Sequence, residues 1–495
     1  MGGVALLSAK LRRDGAALLP RLAFDPGAFF TYLLPPIILN AGLSVEESFF
    51  FRHLDRIALL GVLGTLLTCA LLSAGVAAAV ARLGGFALSM RDCLAIGATF
   101  GATDTVATLQ VLSARAAPML FALVLGEGCI NDAMSLVLLH AVEALPDARQ
   151  ASSTAAADMV ALALRFLYLF VCSTALGIAV GLAAAVAARI VAAPHAVGDG
   201  ADAEGVAMEV AVVGVIAYVS FLLAEALHLS GILSLFVCAL VISHYALCRL
   251  SRPARATMLH AFNTLALVAE QLIFIYCGLA ALDRAAWTIA RPGLVLSLVA
   301  VVGCLLLAAR AVAVVAALAL SNWLAAPGAP RISAAEILVV WWAGLMRGAV
   351  SVAIAAHHFA VVAPGANRTP LAPPAPGSAE EEQMRTHASV IAAAFLVVLI
   401  STILFSSLTR PFLARVLPAA MAGSQHAPSP CSADAMQDAD APPEEGAAAS
   451  WLHRTWAAAD ARYLAPLLGS TWEASAAAAR DEHQRGAYTE LLSRI

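Results

Sequence analysis

About eleven apolar stretches, most of them roughly 17 to 30 residues long, follow one another through this sequence with few charges inside them, and a helix needs about 20 apolar residues to cross the hydrocarbon core of a bilayer. Lipid offers no hydrogen bonds, so the backbone of each stretch must satisfy itself, which leaves helices or a closed barrel. The stretches are too uniformly apolar for barrel strands, which alternate polar and apolar residues over about ten positions. The expected fold class is therefore an all-α polytopic membrane protein. Its spans read as Ala28 to Leu43, Ile57 to Val80, Asp92 to Leu112, Met119 to Val142, Met159 to Val191, Val206 to Leu227, Ser230 to Leu247, Leu259 to Leu282, Gly293 to Leu320, Ile337 to Phe359 and Val390 to Leu417. Composition agrees: 61% of the residues are apolar and 13% are charged, against about 25% charged in an average soluble domain. A formal net charge of -4 gives no reason to expect nucleic acid as a partner. Cysteines are scattered singly without a C-x-x-C pair, so neither a disulfide framework nor a zinc site is implied. No cofactor, resident metal or enzymatic chemistry is expected.

The chain divides into an N-terminal segment at 1–27, a membrane domain at 28–420, and a tail at 421–495 whose Ser, Pro, Asp and Glu content reads as largely disordered and solvated. Arg249, Arg252 and Arg255 between the seventh and eighth spans, with Arg410 and Arg415 at the last one, oppose the acidic run Glu380 to Glu382 before it. Positive charge is retained on the cytosolic side, so the tail is expected in the cytosol.

A charged side chain in mid-membrane costs from about 3 to over 10 kcal/mol, so each needs a partner or a purpose. Here they cluster. The third span carries Asp104 in GATFGATDTVATLQVL; the fourth carries Glu127, Asn131 and Asp132 in LVLGEGCINDAMSLVLLH; the tenth carries Arg347 in WWAGLMRGAVSVAIA. At about 100° per residue, Glu127, Asn131 and Ser135 form one helical stripe and Asp132 joins its flank. That face offers carboxylates and an amide oxygen, hard ligands suited to a small cation or a proton. The third and tenth spans each hold a G-x-x-x-G step beside their charge, Gly97 to Gly101 and Gly344 to Gly348. Glycine-interrupted segments in corresponding places of two halves point to the broken helices of a transporter with inverted repeats. Pro35 and Pro36 remove two backbone donors from the first span, and Glu225 and Glu270 are further carboxylates at or inside spans.

With FFTYLLPPIILNAG, GATDTVATLQVL, LVLGEGCINDA, LSGILSLFVCALVISHY, LVAEQLIFIYCGLAALD and WWAGLMRGAVSVA taken together, the chain resembles the sodium/proton exchanger family, most closely its plant and algal vacuolar and endosomal type. The resemblance implies thirteen membrane helices, about two more than are read here, with a six-helix translocating core moving against a dimerisation domain. It implies Asp132 as the ion- and proton-carrying carboxylate, Asn131 as its partner, Thr103 and Asp104 as the contribution of the first crossing helix, and Glu127 paired to Arg347 of the second. Ser135, Glu225, Glu270, Pro35 and Pro36 are supporting candidates. Asn131 before Asp132 is the electroneutral pattern, since electrogenic relatives carry a second aspartate there. The activity so implied is Na⁺(K⁺)/H⁺ antiport by alternating access across a vacuolar or endosomal membrane, with Na⁺, K⁺, Li⁺ and H⁺ as ligands, lipids around it and a second copy as partner. The alternative is an N-terminally truncated, transport-incompetent or regulatory member. An aspartyl protease using Asp104 and Asp132 is disfavoured, because GATD and CIND lack the Y-D and G-x-G-D contexts of such a dyad.

Overall fold

The computed structural model describes residues 27, 29–45, 53–83, 88–112, 117–145, 155–192, 203–281, 287, 289–324, 331–359 and 379–416. The segment before Gly27 and the tail at 421–495 lie outside the described residues. Each expected apolar stretch corresponds to one helix or to a pair of half-helices. These are α1 (Phe29–Leu43), α2 (Leu54–Arg82), α3a (Met90–Thr99) with α3b (Val106–Leu109), α4 (Pro118–Glu143), α5 (Ala155–Ala192), α6 (Ala203–Ala226), α7 (Gly231–Ala246), α8 (Arg252–Ala281), α9 (Pro292–Leu324), α10a (Ala334–Ala343) with α10b (Ala349–His358), and α11 (Ala379–Val416). Among the described residues, seven helices are long and apolar enough to cross a membrane; α1, α7 and the halves of α10 are shorter apolar helices. The prolines of the first span do not break it. Pro35 and Pro36 open its regular part, Leu34–Leu43, directly after a wide helical turn at Phe29–Leu33, so the chain stays helical past the two missing N–H donors.

The third and tenth spans are interrupted, and the sequence dictates how. Each opens with a capping box, in which a serine before the helix and an acid three residues on satisfy each other's backbone donors. In α3a the amide of Ser89 donates to Asp92 Oδ2 at 2.9 Å and that of Asp92 to Ser89 Oγ at 3.1 Å. In α10a the amide of Ser333 donates to Glu336 Oε2 at 2.7 Å and that of Glu336 to Ser333 Oγ at 3.3 Å. Each half-helix then runs 10 residues and stops at its glycine step. The chain continues without regular structure to α3b and α10b.

These interruptions define two repeats, α2–α3–α4 and α9–α10–α11, each a long helix, a broken one and a long one. The second begins seven spans after the first, an odd number, so the two enter the membrane from opposite faces. Their six spans pack together: α2 against α3a, α4 and α9, α3a against α10b, and α10b against α11. A second bundle is formed by α1, α5, α6, α7 and α8, which meets the first through α4 on α5 and α7 and through α10b on α8. One apolar core, from Leu72 and Ile96 through Val137 and Phe236 to Ile354, runs through both.

Candidate functional site

The two interruptions cross, and backbone bonds hold the crossing. The amide of Asp104, in the first break, donates to Met346 O in the second at 3.0 Å. Arg347 sends Nη1 back to Ala102 O at 2.7 Å. The outgoing strand of the second break is fixed by α11, where Thr402 Oγ1 donates to Arg347 O at 3.0 Å and Ser401 Oγ accepts from the Arg347 amide at 3.3 Å. Unwound backbone is tolerated at this depth only where protein satisfies it.

Against this crossing lies α4. Asn131, fully buried, donates from Nδ2 to Glu127 Oε1 at 2.8 Å and to Thr103 Oγ1 at 3.2 Å, and accepts at Oδ1 from Thr65 Oγ1 of α2. The amide is thereby locked in one orientation. Asp132 follows it, bonded by the backbone amide of Thr103 and within electrostatic range of Asp104 and Arg347. Its Oδ1 is buried with no hydrogen-bond partner among the described residues, as are Ser135 Oγ one turn on and Nε and Nη2 of Arg347. Unsatisfied buried polar atoms are expensive, and their occurrence on residues around one crossing makes it a candidate site for a small polar guest. Asp104 is partly exposed and uses Oδ1 to cap α3b through the Val106 amide at 3.1 Å.

The ion pair expected between Glu127 and Arg347 is not formed. Glu127 is paired to Arg310 of α9 through Oε1 and Nη2, both side chains being buried to within 1%. Arg310 Nη2 also reaches Val340 O at 3.3 Å, near the carbonyl end of α10a, so one guanidinium neutralises Glu127 and caps a half-helix whose end carries partial negative charge. Arg347 instead faces Ala102 O and Asp132. Arg310 and Thr65 went unnoticed in the sequence, although Arg310 bears the signal used for the others: a lone charge inside CLLLAARAVAVVAA.

Gly344 makes room for that guanidinium, since a Cβ there would collide with Arg310, and at Gly101 it would lie 2.6 Å from Cys69 Sγ and 2.8 Å from Ser135 Oγ. Gly344→Ala should therefore destabilise the protein by about 1 to 3 kcal/mol, as overpacking does. Gly303→Ala, whose Cβ meets open space, should be close to neutral; thermal unfolding of both in detergent checks this.

Of the other candidates, Glu270 is half-buried on α8 within electrostatic range of Asp104. Glu225 is exposed and caps α7 by accepting from the Gly231 amide at 3.1 Å, so it is no part of the crossing. Pro35 and Pro36 belong to the second bundle, where α1 packs on α7 and α8.

A family model described as "Sodium/hydrogen exchanger, transmembrane" matches residues 4–415. Sodium/hydrogen exchanger 2 of Arabidopsis thaliana is 37% identical over 400 residues, which cover 80% of this chain and 68% of that protein. Sodium/hydrogen exchanger 1 of Oryza sativa subsp. japonica is 37% identical over 399 residues, 80% of this chain and 69% of that protein. Among solved structures, the sodium proton antiporter MjNhaP1 from Methanocaldococcus jannaschii at pH 8 superimposes with a TM-score of 0.55 over 84% of this chain and 97% of its own, at 17% identity, a likeness of fold. With a broken-helix crossing that faces Asn131 and Asp132, and with that family model matching most of its length, the chain is a member of the sodium/hydrogen exchanger family, of the plant-like type.

Proposed function

We propose that this protein exchanges a monovalent cation, Na⁺ or K⁺, for a proton across an endomembrane, one for one, by presenting Asp132 alternately to the two faces. The observation that carries this reading is the unsatisfied Asp132 carboxylate oxygen beside the crossing. Asp132, Asp104 and Glu127 face Arg310 and Arg347 across it, with Glu270 of α8 within range of Asp104, so with all of them ionised the carboxylates outnumber the guanidiniums. Either one proton on Asp132 or one monovalent cation against it lowers that excess by one charge. A cation excludes the proton and the proton excludes the cation, so one carboxylate serves both by competition. Asn131 cannot titrate; locked by Thr65, Thr103 and Glu127, it holds the α4 face in place and adds no second proton to the count. The Thr103 amide and the arm of Arg347 steady the carboxylate once it is bare. In this reading the face bearing Arg249, Arg252 and the Arg415 end of α11 is cytosolic, and the opposite ends of α4 and α10b face the organelle lumen.

Purified protein in vesicles containing a pH-sensitive dye should release or take up protons on addition of Na⁺ or K⁺. No response to either, or to Li⁺, would overturn the assignment. One charge against one charge also makes the exchange indifferent to voltage, whereas a potential of 100 mV is worth about 2.3 kcal/mol per net charge moved. With the vesicles set at different potentials by gradients of a permeant anion such as thiocyanate, in the absence of K⁺, the end point of Na⁺-driven proton flux should stay where it is. A shift would mean that a second carboxylate, Asp104 first, joins the proton count.

A further inference from the structure

Thr105 stands directly before α3b, a place where a threonine side chain ordinarily accepts from an amide of the first turn. It makes no such bond. The neighbouring residue does the capping instead, since Asp104 Oδ1 accepts from the Val106 amide at 3.1 Å. The Thr105 hydroxyl is turned onto α4, over Gly128: a Cβ built on that glycine would lie 2.5 Å from Thr105 Oγ1 and 3.1 Å from its Cγ2. Only a residue without a Cβ lets the hydroxyl come so near the α4 backbone, and both residues are buried. Position 128 lies one turn before Asp132 and position 135 one turn after it. At about 100° per residue the three fall within about 60° of one another on α4. Asp132 therefore has a hydroxyl on either side along the helix, Thr105 Oγ1 brought in across the break and Ser135 Oγ of α4 itself. Asp132 Oδ1 and Ser135 Oγ are buried with no hydrogen-bond partner among the described residues. Side chains on a helix lean toward its N-terminus, so the Asp132 carboxylate leans toward the turn that Thr105 covers.

We propose that the Thr105 hydroxyl is a ligand of the transported cation, a neutral oxygen supplied beside Asp132 by the broken span rather than by α4. A dehydrated alkali cation, like other hard cations, takes several oxygen ligands, and one carboxylate supplies two at most. A hydroxyl has lone pairs to offer and carries no charge, so it strengthens the hold on the cation while the trade of charge stays with Asp132. Thr105 would be spent as a cap in an ordinary helix start; with Asp104 capping α3b, its oxygen is left for a guest. Thr105 and Asp132 both belong to the six-span core, so the ligand travels with the carboxylate and the proposal needs no rearrangement between the two. The inference rests on the exchange reading for the identity of the guest, and on the geometry for the place of the hydroxyl.

The test removes the oxygen and keeps the shape. In vesicles containing a pH-sensitive dye, Thr105→Val should raise the half-saturation concentration for Na⁺ about tenfold, the worth of one polar contact, with a much smaller change in the maximal rate. Thr105→Ser, which retains the hydroxyl, should stay close to the wild type. Equal half-saturation in the wild type and Thr105→Val overturns the proposal. Should Thr105→Val fail to fold, a transplant decides. Thr105→Ala should lose Na⁺ affinity, and Gly128→Ser added to it returns a hydroxyl from α4 into the vacated space, where alone it would collide with Thr105. Affinity recovered in the double variant supports the ligand role, and affinity no better than that of Thr105→Ala overturns it. Thermal unfolding in detergent at alkaline pH keeps this apart from the exchange reading. A ligand of the folded state raises the midpoint, so the wild type should gain as NaCl replaces choline chloride, and Thr105→Val should need about ten times as much Na⁺ for the same gain. A wild type that gains without exchanging removes the exchange reading and leaves the ligand to be decided by that ratio, a ratio of one overturning it. If Na⁺ neither raises the midpoint nor is exchanged, both fall.

Discussion

Asp132→Asn should abolish cation-driven proton flux while leaving the protein folded and inserted. The substitution keeps the shape of the side chain and an oxygen able to accept from the Thr103 amide, and it removes the one group whose proton can be traded for a cation. Removing a buried carboxylate normally destabilises a protein through its widowed partner. Here the carboxylates at the crossing already outnumber its two guanidiniums, so the variant should unfold at the same temperature as the wild type or a higher one. Flux above about a tenth of wild type would remove Asp132 from the role, as would a collapse in thermal stability, which would make the residue structural. Measuring both on one preparation separates the two failures.

Why so much of this site could be read from the sequence follows from the cost of charge in a bilayer. Asp104, Glu127, Asp132 and Arg347 are conspicuous because each interrupts a stretch that lipid would otherwise select to be apolar, and the structure gathers all four at one crossing. Helical spacing sufficed for the bond between Asn131 and Glu127, because a residue four positions on lies one turn above. The glycine steps marked the breaks for a similar reason: a half-helix must end somewhere, and Gly101 and Gly344 are the places where neighbouring side chains leave no room for a Cβ. Pairing across helices is a different matter. Which arginine reaches Glu127 depends on how α9 and α10 are set against α4, and no periodicity within one span encodes that; the path from Arg310 to Glu127 spans 183 positions of sequence but one hydrogen-bond length in space. His357, His358 and His387 carry no signal in the sequence, because nothing within one span sets them apart from histidines at a wet helix end. Two of them are largely shielded from solvent by the convergence of four helix ends, which is again a property of the assembled repeats.

The pairing of Glu127 can be measured as well as seen. Breaking a buried ion pair by removing one partner leaves an uncompensated charge and costs about 3 to 5 kcal/mol, while removing both relieves much of it. Glu127→Gln and Arg310→Gln should therefore each lower the unfolding temperature in detergent sharply, and the double variant should be far less destabilised than their sum. Glu127→Gln combined with Arg347→Gln should instead come close to additive, because Arg347 holds Ala102 O and faces Asp132. Arg310→Lys is the discriminating conservative change. A lysine keeps the charge for Glu127, but it lacks the planar fork with which the guanidinium also serves Val340 O. It should recover only part of the stability, and with the carbonyl end of α10a uncapped the crossing should bind its cation less tightly. That would appear as a raised half-saturation concentration for Na⁺ in vesicles. Strong coupling of Glu127 to Arg347 with none to Arg310 would mean that the pair exchanges partners during the transport cycle, with the present structure representing one of its two arrangements.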